Sequence, residues 1–302
     1  MYTILGATGH IGTVIARKLL EKGESVRVFG RSPERLRDFV EKGAEAAVGD
    51  VKDVATLTQA LSGARAAFLM VPPSMTAEDY RTEQDQTTTA LAAAAKASGL
   101  QYAVNLSSYG AQAPSGTGPI LGLHFGEKKL NEVEKLNVLH LRPGYFMENH
   151  LSGIGVIQTM GIYGSAVRGD LKIPMIETRD IGLVAAERLM KLDFGGKQAQ
   201  ELHGERDLTM SEVTAVLGKA IGKPDLKYMQ FPYEQVQQVL LQMGVPAKTA
   251  AQFIEMFRGI NEGIVVPVDP RTATNTTPTS IETFAKEVFA TAYLGKAAGR
   301  AR

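Results

Sequence analysis

Three glycines at a spacing of three open this chain. Gly6-Ala7-Thr8-Gly9-His10-Ile11-Gly12 follows the apolar Tyr2-Thr3-Ile4-Leu5 and runs into Thr13-Val14-Ile15-Ala16-Arg17-Lys18-Leu19-Leu20, whose apolar residues recur at helical spacing. The chemistry this order allows is anion binding. A turn without Cβ atoms lets backbone approach a pyrophosphate, while the helix that follows turns its free N–H groups and the positive end of its dipole toward the charge. The expected ligand is a dinucleotide, with Gly6, Thr8, Gly9, His10, Ile11 and Gly12 at its phosphates and His10 shaping the turn rather than reacting. A plain tight turn is the other reading of the same glycines.

A second group of residues bears on which dinucleotide. Folds that prefer NAD place an acidic residue at the end of the second strand, where it accepts hydrogen bonds from the ribose hydroxyls. This chain has Phe29-Gly30-Arg31-Ser32 there. The Arg31 guanidinium can grip a 2′-phosphate in a charge-assisted, two-pronged contact, and Arg35 one helical turn later adds to it. NADP(H) is therefore expected, with NAD(H) as the alternative; a solvated loop cation is the plainer reading of Arg31. Asp50-Val51 are placed for adenine contacts, although Asp50 is equally suited to capping a helix. Val71-Pro72-Pro73 are placed to line the ribose nearer the nicotinamide.

The elements that must hold these residues alternate through the first half. Strand patterns at Ser25–Phe29, Ala44–Val48, Ala66–Val71, Tyr102–Leu106 and Val138–Arg142 alternate with helical patterns at Pro33–Val40, Val54–Leu61, Tyr80–Ser98 and around Lys128. Unbroken apolar runs such as Ala66-Ala67-Phe68-Leu69-Met70-Val71 belong to strands buried on both faces of a parallel sheet. The fold class is α/β, a Rossmann-type doubly wound parallel sheet with right-handed crossovers. After Pro143 a glycine-spaced stretch gives way to a helix led by Thr178, another capped by Thr209 or Ser211, amphipathic segments at Tyr233–Met243 and Thr249–Phe257, a polar loop at Thr272–Thr279 and a closing helix at Ile281–Phe289. These read as a smaller, mostly helical C-terminal lobe. The division is a cofactor domain over 1–148 and a substrate lobe over 149–302, with about 177–192 and the C-terminal helix packing back on the first domain.

Bulk properties narrow the function classes. With 33 Lys and Arg against 32 Asp and Glu in 302 residues, the formal charge of +1 offers no global field for nucleic acid or an anionic membrane. No apolar stretch has the length of a membrane span, and the first strand begins at once, so a cytoplasmic location is expected. The chain has no cysteine, which removes disulfides, thiolate metal sites and cysteine nucleophiles. No His, Asp and Glu grouping has metal-ligand spacing, and there is no Ser-His-Asp order with a nucleophile elbow.

Four segments give the chain a family resemblance: Leu5-Gly6-Ala7-Thr8-Gly9-His10-Ile11-Gly12, Leu141-Arg142-Pro143-Gly144-Tyr145-Phe146-Met147-Glu148-Asn149, Arg179-Asp180-Ile181-Gly182 and Thr277-Pro278-Thr279-Ser280. Over nearly its whole length the chain resembles the NmrA-like group of atypical short-chain dehydrogenase/reductases. The resemblance implies an NAD(P)-binding core, a small lobe closing over a cleft, and one of two functional styles. One is NAD(P)H-dependent reduction of small acceptors such as quinones; the other is redox sensing through cofactor binding without turnover.

Active short-chain dehydrogenases resemble one another in a Ser and a Tyr-x-x-x-Lys pair, in which Lys holds the ribose and Tyr exchanges a proton with substrate oxygen. By that likeness Ser107, at the end of the fifth strand, and Lys128 match, but the helix reads His124-Phe125-Gly126-Glu127-Lys128 and has no tyrosine. The i, i+4 spacing puts His124 and Lys128 on one helical face, making His124 the candidate proton donor and Lys128 the candidate ribose ligand. Packing and solvation are their plainer readings. The missing tyrosine counts against alcohol–ketone redox, where a proton travels with the hydride. It does not count against quinone reduction, because hydride addition to a conjugated acceptor gives a stabilised anion that water protonates. Tyr109, Tyr145, Phe146 and Met147 follow strand ends facing the cleft and are candidates to stack on such an acceptor, or to pack between the lobes. The function expected is NAD(P)H-dependent reduction of a quinone-like or other small conjugated acceptor, its rival an NADP(H)-binding redox sensor. The expected partner is a small molecule, and a homodimer is compatible.

Overall fold

The computed structural model describes residues 1–300, with side chains through residue 295. The first half is β1 (Tyr2–Leu5), α1 (His10–Glu21), β2 (Val26–Gly30), α2 (Pro33–Glu41), β3 (Glu45–Val48), α3 (Val54–Leu61), β4 (Ala66–Leu69), α4 (Tyr80–Ser98), β5 (Tyr102–Leu106), α5 (Ile120–Asn131) and β6 (Asn137–Pro143). Adjacent residues of the central strands feed different cores. Ile4 and Phe68 pack with Ile11, Ile15 and Leu19 of α1 on one face, while Leu5 and Leu69 pack with Leu57, Leu91 and Leu130 of α3, α4 and α5 on the other. That is why β1 and β4 are buried at every position.

The second half adds β7 (Tyr145–Phe146), a 3-10 turn (Met147–Gly153), α6 (Ile154–Met160), β8 (Ile162–Ser165), β9 (Ile173–Ile176), α7 (Thr178–Lys191), β10 (Lys197–Leu202), β11 (Asp207–Leu208), α8 (Met210–Ala220), β12 (Lys227–Gln230), α9 (Tyr233–Gln242), α10 (Ala247–Asn261), α11 (Ile281–Phe284), a π turn (Ala285–Phe289) and α12 (Ala290–Arg300). The main sheet has seven strands in the order β10-β6-β5-β4-β1-β2-β3, all paired in parallel. Connections run outward in opposite directions from β1 and β4. The crevice between those two strands is thus the topological switch point at which α/β sheets take ligands.

The structure departs from the sequence reading in four places. β4 ends at Leu69, so Met70 and Val71 leave the sheet instead of extending it. The second half contains more strand than expected, including β10, which crosses back to become the seventh strand of the main sheet, and small sheets ordered β11-β9-β7 and β12-β8. Lys-Gln-Ala-Gln-Glu-Leu carries no apolar alternation because this edge strand is held by its backbone ladder to β6 and faces solvent over its first half. Finally, the closing helix packs on the lobe, where Ile281, Phe284 and Phe289 join Met210, Val213 and Leu217 of α8, and not on the Rossmann-type core. The segment that does lie against that core is α7, whose Gly182 has room for no Cβ: one would fall 2.7 Å from Val14 of α1.

Two histidines are built into this framework uncharged. His140 of β6 accepts from Asn105 Nδ2 at Nδ1 and donates from Nε2 to Asn131 Oδ1, both at 3.0 Å, and burial pushes it down to about 4. His150 sits 2.6 Å from the Tyr163 hydroxyl through Nδ1, and burial pushes it down to about 3. In the unfolded chain both imidazoles titrate near an ordinary value of about 6.5. Below that pH the unfolded state takes up protons that the folded state refuses, so the stability they contribute is whole above about pH 6.5 and is lost as pH falls toward 4. Urea unfolding midpoints should therefore drop between pH 7.5 and 5.5, as the unfolding free energy falls by up to about 1.4 kcal/mol per pH unit for each histidine. A midpoint that stays level over this window would show that neither ring is held neutral.

Candidate functional site

The glycine turn between β1 and α1 is drawn tight by its own carbonyl. Gly9 N–H donates to Gly6 O at 2.9 Å, Thr13 Oγ1 donates to Ala7 O at 2.8 Å, and Gly6 has a left-handed φ of 65°. A Cβ on Gly12 would lie 2.2 Å from Gly6 O, so this glycine is what lets α1 start so close to β1. α1 has no side-chain cap and no acidic residue in its first turn, and among the described residues the N–H groups of His10, Ile11 and Gly12 have no carbonyl partner. An anion therefore meets three free donors and an unopposed dipole.

At the end of β2 the carboxylate expected of an NAD site is absent. Arg31 and Arg35 are exposed and, among the described residues, neither guanidinium is engaged by a carboxylate. Ser32 caps α2 by accepting from Arg35 N–H. After β3, Asp50 is exposed and accepts from Lys52 N–H at 2.8 Å. The cap of α3 is Asp53, which accepts from Ala55 and Thr56, so the capping alternative for Asp50 falls away. Val51 packs partly on the core beneath. Val71 and Pro72 are half-buried and Pro73 is exposed as the chain leaves β4.

α5 carries the candidates His124 and Lys128. Its inward charged residue is Glu127, which accepts from Ser107 Oγ at 2.6 Å and from Arg142 Nε at 2.8 Å. Burial raises the Glu127 carboxyl, but the hydrogen bond from Arg142, with further help from His140 and Ser107, holds it below the usual carboxylate range. Ser107 thus gives its only hydrogen to a buried anion and is part of an internal network. Lys128 is exposed, with Nζ 5.7 Å from the centre of the Phe125 ring. It also lies a full turn farther than His124 from the end of α5 that meets the β5 loop.

His124 is the group α5 turns inward near that loop. Its Nδ1 lies 2.7 Å from Ala111 O, and because a carbonyl only accepts, Nδ1 carries the hydrogen. Among the described residues Nε2 is buried without a partner. Glu127 and Arg142 escaped the sequence reading. Ile120, Glu127 and Leu130 fall at i, i+7, i+10 on α5 and all three are buried, and that periodicity is the signal that marks Glu127 as buried.

Of the four apolar candidates, Met147 is a core residue at 1% exposure, packed among lobe side chains. Phe146 packs against the Rossmann-type core. Tyr145 stands 5.4 Å from the His150 ring centre. Tyr109 is buried and its hydroxyl has no partner. The lobe is clasped to the mouth of the crevice by α10: Thr249 Oγ1 donates to Ala77 O at 2.6 Å and accepts from Tyr80 N–H at 3.1 Å, and Gln252 Nε2 donates to Asp79 at 2.7 Å.

A family model described as the NmrA-like family matches residues 2–285. This chain belongs to the NmrA-like family. An NAD(P)H azoreductase of Xenophilus azovorans is 30% identical over 259 residues, which are 85% of this chain and 86% of that protein. Two solved structures share the fold of this NmrA-like protein. The NADPH-dependent quinone oxidoreductase of Escherichia coli, complexed with NADPH, has a TM-score of 0.81 at 23% identity and covers 96% of this chain and 100% of its own. The triphenylmethane reductase of Citrobacter sp., complexed with NADP(H), has a TM-score of 0.78 at 17% identity and covers 95% and 99%. Beyond the glycine turn, the segments that mark this chain as NmrA-like join distant parts of it. Glu148 accepts from Thr178 N–H at 3.0 Å, and Asp180 accepts from Thr279 N–H at 3.0 Å and Oγ1 at 2.8 Å.

Replacing Gly9 tests the turn. A Cβ there meets only Gly6 O, at 3.3 Å, and the residue has ordinary extended geometry, so Gly9→Val should fold while its branches stand in the anion's approach. Affinity for NADPH and for NADH should each fall by at least about 1.4 kcal/mol, or tenfold, with little change in melting temperature. Unchanged affinity by fluorescence titration would mean that the turn is only structural.

Proposed function

We propose that this protein is an NADP(H)-dependent reductase of small conjugated acceptors, quinone-like or azo. The observation that carries this reading is the pairing of an uncapped, glycine-cradled α1 N-terminus with two unengaged arginines, Arg31 and Arg35, at the end of β2. The first takes a pyrophosphate and the second a 2′-phosphate. The names of the relatives agree, since one reduces azo compounds and another quinones with the same kind of cofactor.

When bound, the cofactor supplies a hydride. The chain's part is to bind and orient. Val71 and Pro72, released from the sheet by the early end of β4, line the ribose side of the crevice, with Asp50 and Val51 toward the adenine. His124, its ring fixed by Ala111, presents Nε2 to accept from a ribose hydroxyl, the holding role that the sequence resemblance gave to Lys128. No side-chain acid is needed for an acceptor whose anion is delocalised and protonated by water, so a Ser107 committed to Glu127 is no obstacle.

Purified protein should oxidise NADPH when given simple quinones or azo dyes. Arg31→Ala should weaken NADPH binding by about 1.5–3 kcal/mol and leave NADH nearly unchanged, as expected of a charge-assisted contact to the extra phosphate; equal losses for both cofactors would remove the assignment. His124→Ala should raise the KM for NADPH, whereas Lys128→Ala, a surface change, should stay within about 0.5 kcal/mol of wild type. Tight NADPH binding with no oxidation across a broad quinone and azo panel would instead make the protein a redox sensor.

A further inference from the structure

The carboxylate missing from the end of β2 reappears just beyond it, as Glu34 in the first turn of α2. Ser32 holds it there. The Ser32 hydroxyl donates to Glu34 Oε2 at 2.7 Å and accepts from Arg35 N–H at 3.4 Å, so the three groups share one side of the helix start, next in sequence to Arg31. We propose that Glu34 sets the balance between the two nicotinamide cofactors in this protein, by opposing the 2′-phosphate of NADPH and by accepting a hydrogen bond from the free 2′-hydroxyl of NADH. The proposal rests on the cofactor reading of Arg31 and Arg35 given above and adds to it the group that works against them.

The helices that start at the carboxyl ends of β1 and β2 are built differently. α1 has neither a side-chain cap nor an acidic residue in its first turn, whereas α2 has the Ser32 cap, Pro33 at its first position and Glu34 behind it. A bare α2 N-terminus beside Arg31 would add its dipole and a serine O–H to the grip on a phosphate. Here the dipole already meets a carboxylate, and Ser32 gives its only hydrogen to Glu34. The Ser32 hydrogen bond, followed by one from its own backbone N–H, holds the Glu34 carboxyl below the usual carboxylate range, so it is ionised at neutral pH. Being held by Ser32 also keeps this anion from cancelling the guanidiniums: among the described residues neither Arg31 nor Arg35 is engaged by a carboxylate, and both are exposed. Both kinds of recognition group therefore stand open together. With NADPH the arginines meet the 2′-phosphate while Glu34 repels it, which leaves a modest preference. With NADH no phosphate is present, and the exposed carboxylate accepts from the ribose, as an acidic residue does in folds that prefer NAD.

Binding of adenosine 2′,5′-bisphosphate and of 5′-AMP to the full chain, measured by calorimetry, isolates this end of the site from hydride transfer, because the two probes differ only in the 2′-phosphate. Glu34→Gln removes the charge and keeps an oxygen for the Ser32 hydroxyl. It should tighten the bisphosphate roughly 2- to 5-fold at low ionic strength, the worth of one charge at a helix N-terminus, and the gain should shrink at about 0.5 M KCl, where exposed charges are screened. Glu34→Ala removes the acceptor as well, and should weaken 5′-AMP and NADH roughly 2- to 10-fold, the worth of one net hydrogen bond. Melting temperatures should hardly move, since position 34 is exposed. Unchanged bisphosphate affinity in Glu34→Gln would overturn the repulsion, and unchanged 5′-AMP and NADH affinity in Glu34→Ala would overturn the contact to the hydroxyl. Arg31→Ala separates this failure from that of the cofactor reading. Bisphosphate binding weakened by Arg31→Ala but untouched by Glu34→Gln leaves the arginines in place and removes only the role of Glu34, whereas binding indifferent to Arg31→Ala puts the 2′-phosphate elsewhere and both readings fall.

Discussion

The close approach of α1 to its neighbours is the constraint from which the rest of the site follows. Gly12 lets the helix begin against the Gly6 carbonyl, and Gly182 lets α7 lie on Val14 from the other side. Each contact leaves no room for a methyl group, so the helix axis is determined at both flanks. A helix held this firmly keeps three N–H groups and its dipole aimed at one point beyond β1. Preorganised donors of this kind bind an anion without the cost of ordering a loop around it.

Charge is distributed so that this point stays electropositive. α1 carries no acidic residue in its first turn, Arg31 and no carboxylate follows β2, and three buried carboxylates are engaged elsewhere. Glu127 is held by Arg142 and Ser107. Glu201 accepts from the N–H groups of Val268 and Asp269 and lies 3.1 Å from His203 Nε2; burial raises its carboxyl, but these hydrogen bonds outweigh that and hold it below the usual range. Asp180 is taken up by Thr279. Removing a partner from any of them would strand a buried charge, which costs far more than the pair contributes. Their purpose is architectural: Glu201 ties down the segment after α10, and Asp180 ties the start of the closing helix to α7.

The two halves are thereby interlocked through three kinds of contact. A strand from the second half completes the main sheet through β10, the latches of Glu148 and Asp180 join loops about 30 and 99 residues apart in sequence, and α10 clasps the entrance to α4 through Thr249 and Gln252. Side chains at the lobe junction, Tyr109 above all, are thus positioned by elements from both halves. A site shared in this way suits a substrate that must be laid over a cofactor bound mainly by one of them.

How much of this was legible in the sequence depends on the range of the interaction. The glycine turn, the strands buried on both faces, the helices and the arginine at the end of β2 are local patterns, because backbone geometry and periodic burial repeat within a few residues. The doubly wound class of the sheet followed from the alternation of those elements and the handedness of crossovers. Side-chain direction across the tertiary fold was not legible. Spacing placed His124 and Lys128 on one face of α5, yet only packing against the sheet and the β5 loop decided that Glu127 and His124 turn inward and Lys128 faces solvent. The polar strand β10 had no pattern to reveal it, since its partner lies some sixty residues earlier and its outer edge is wet.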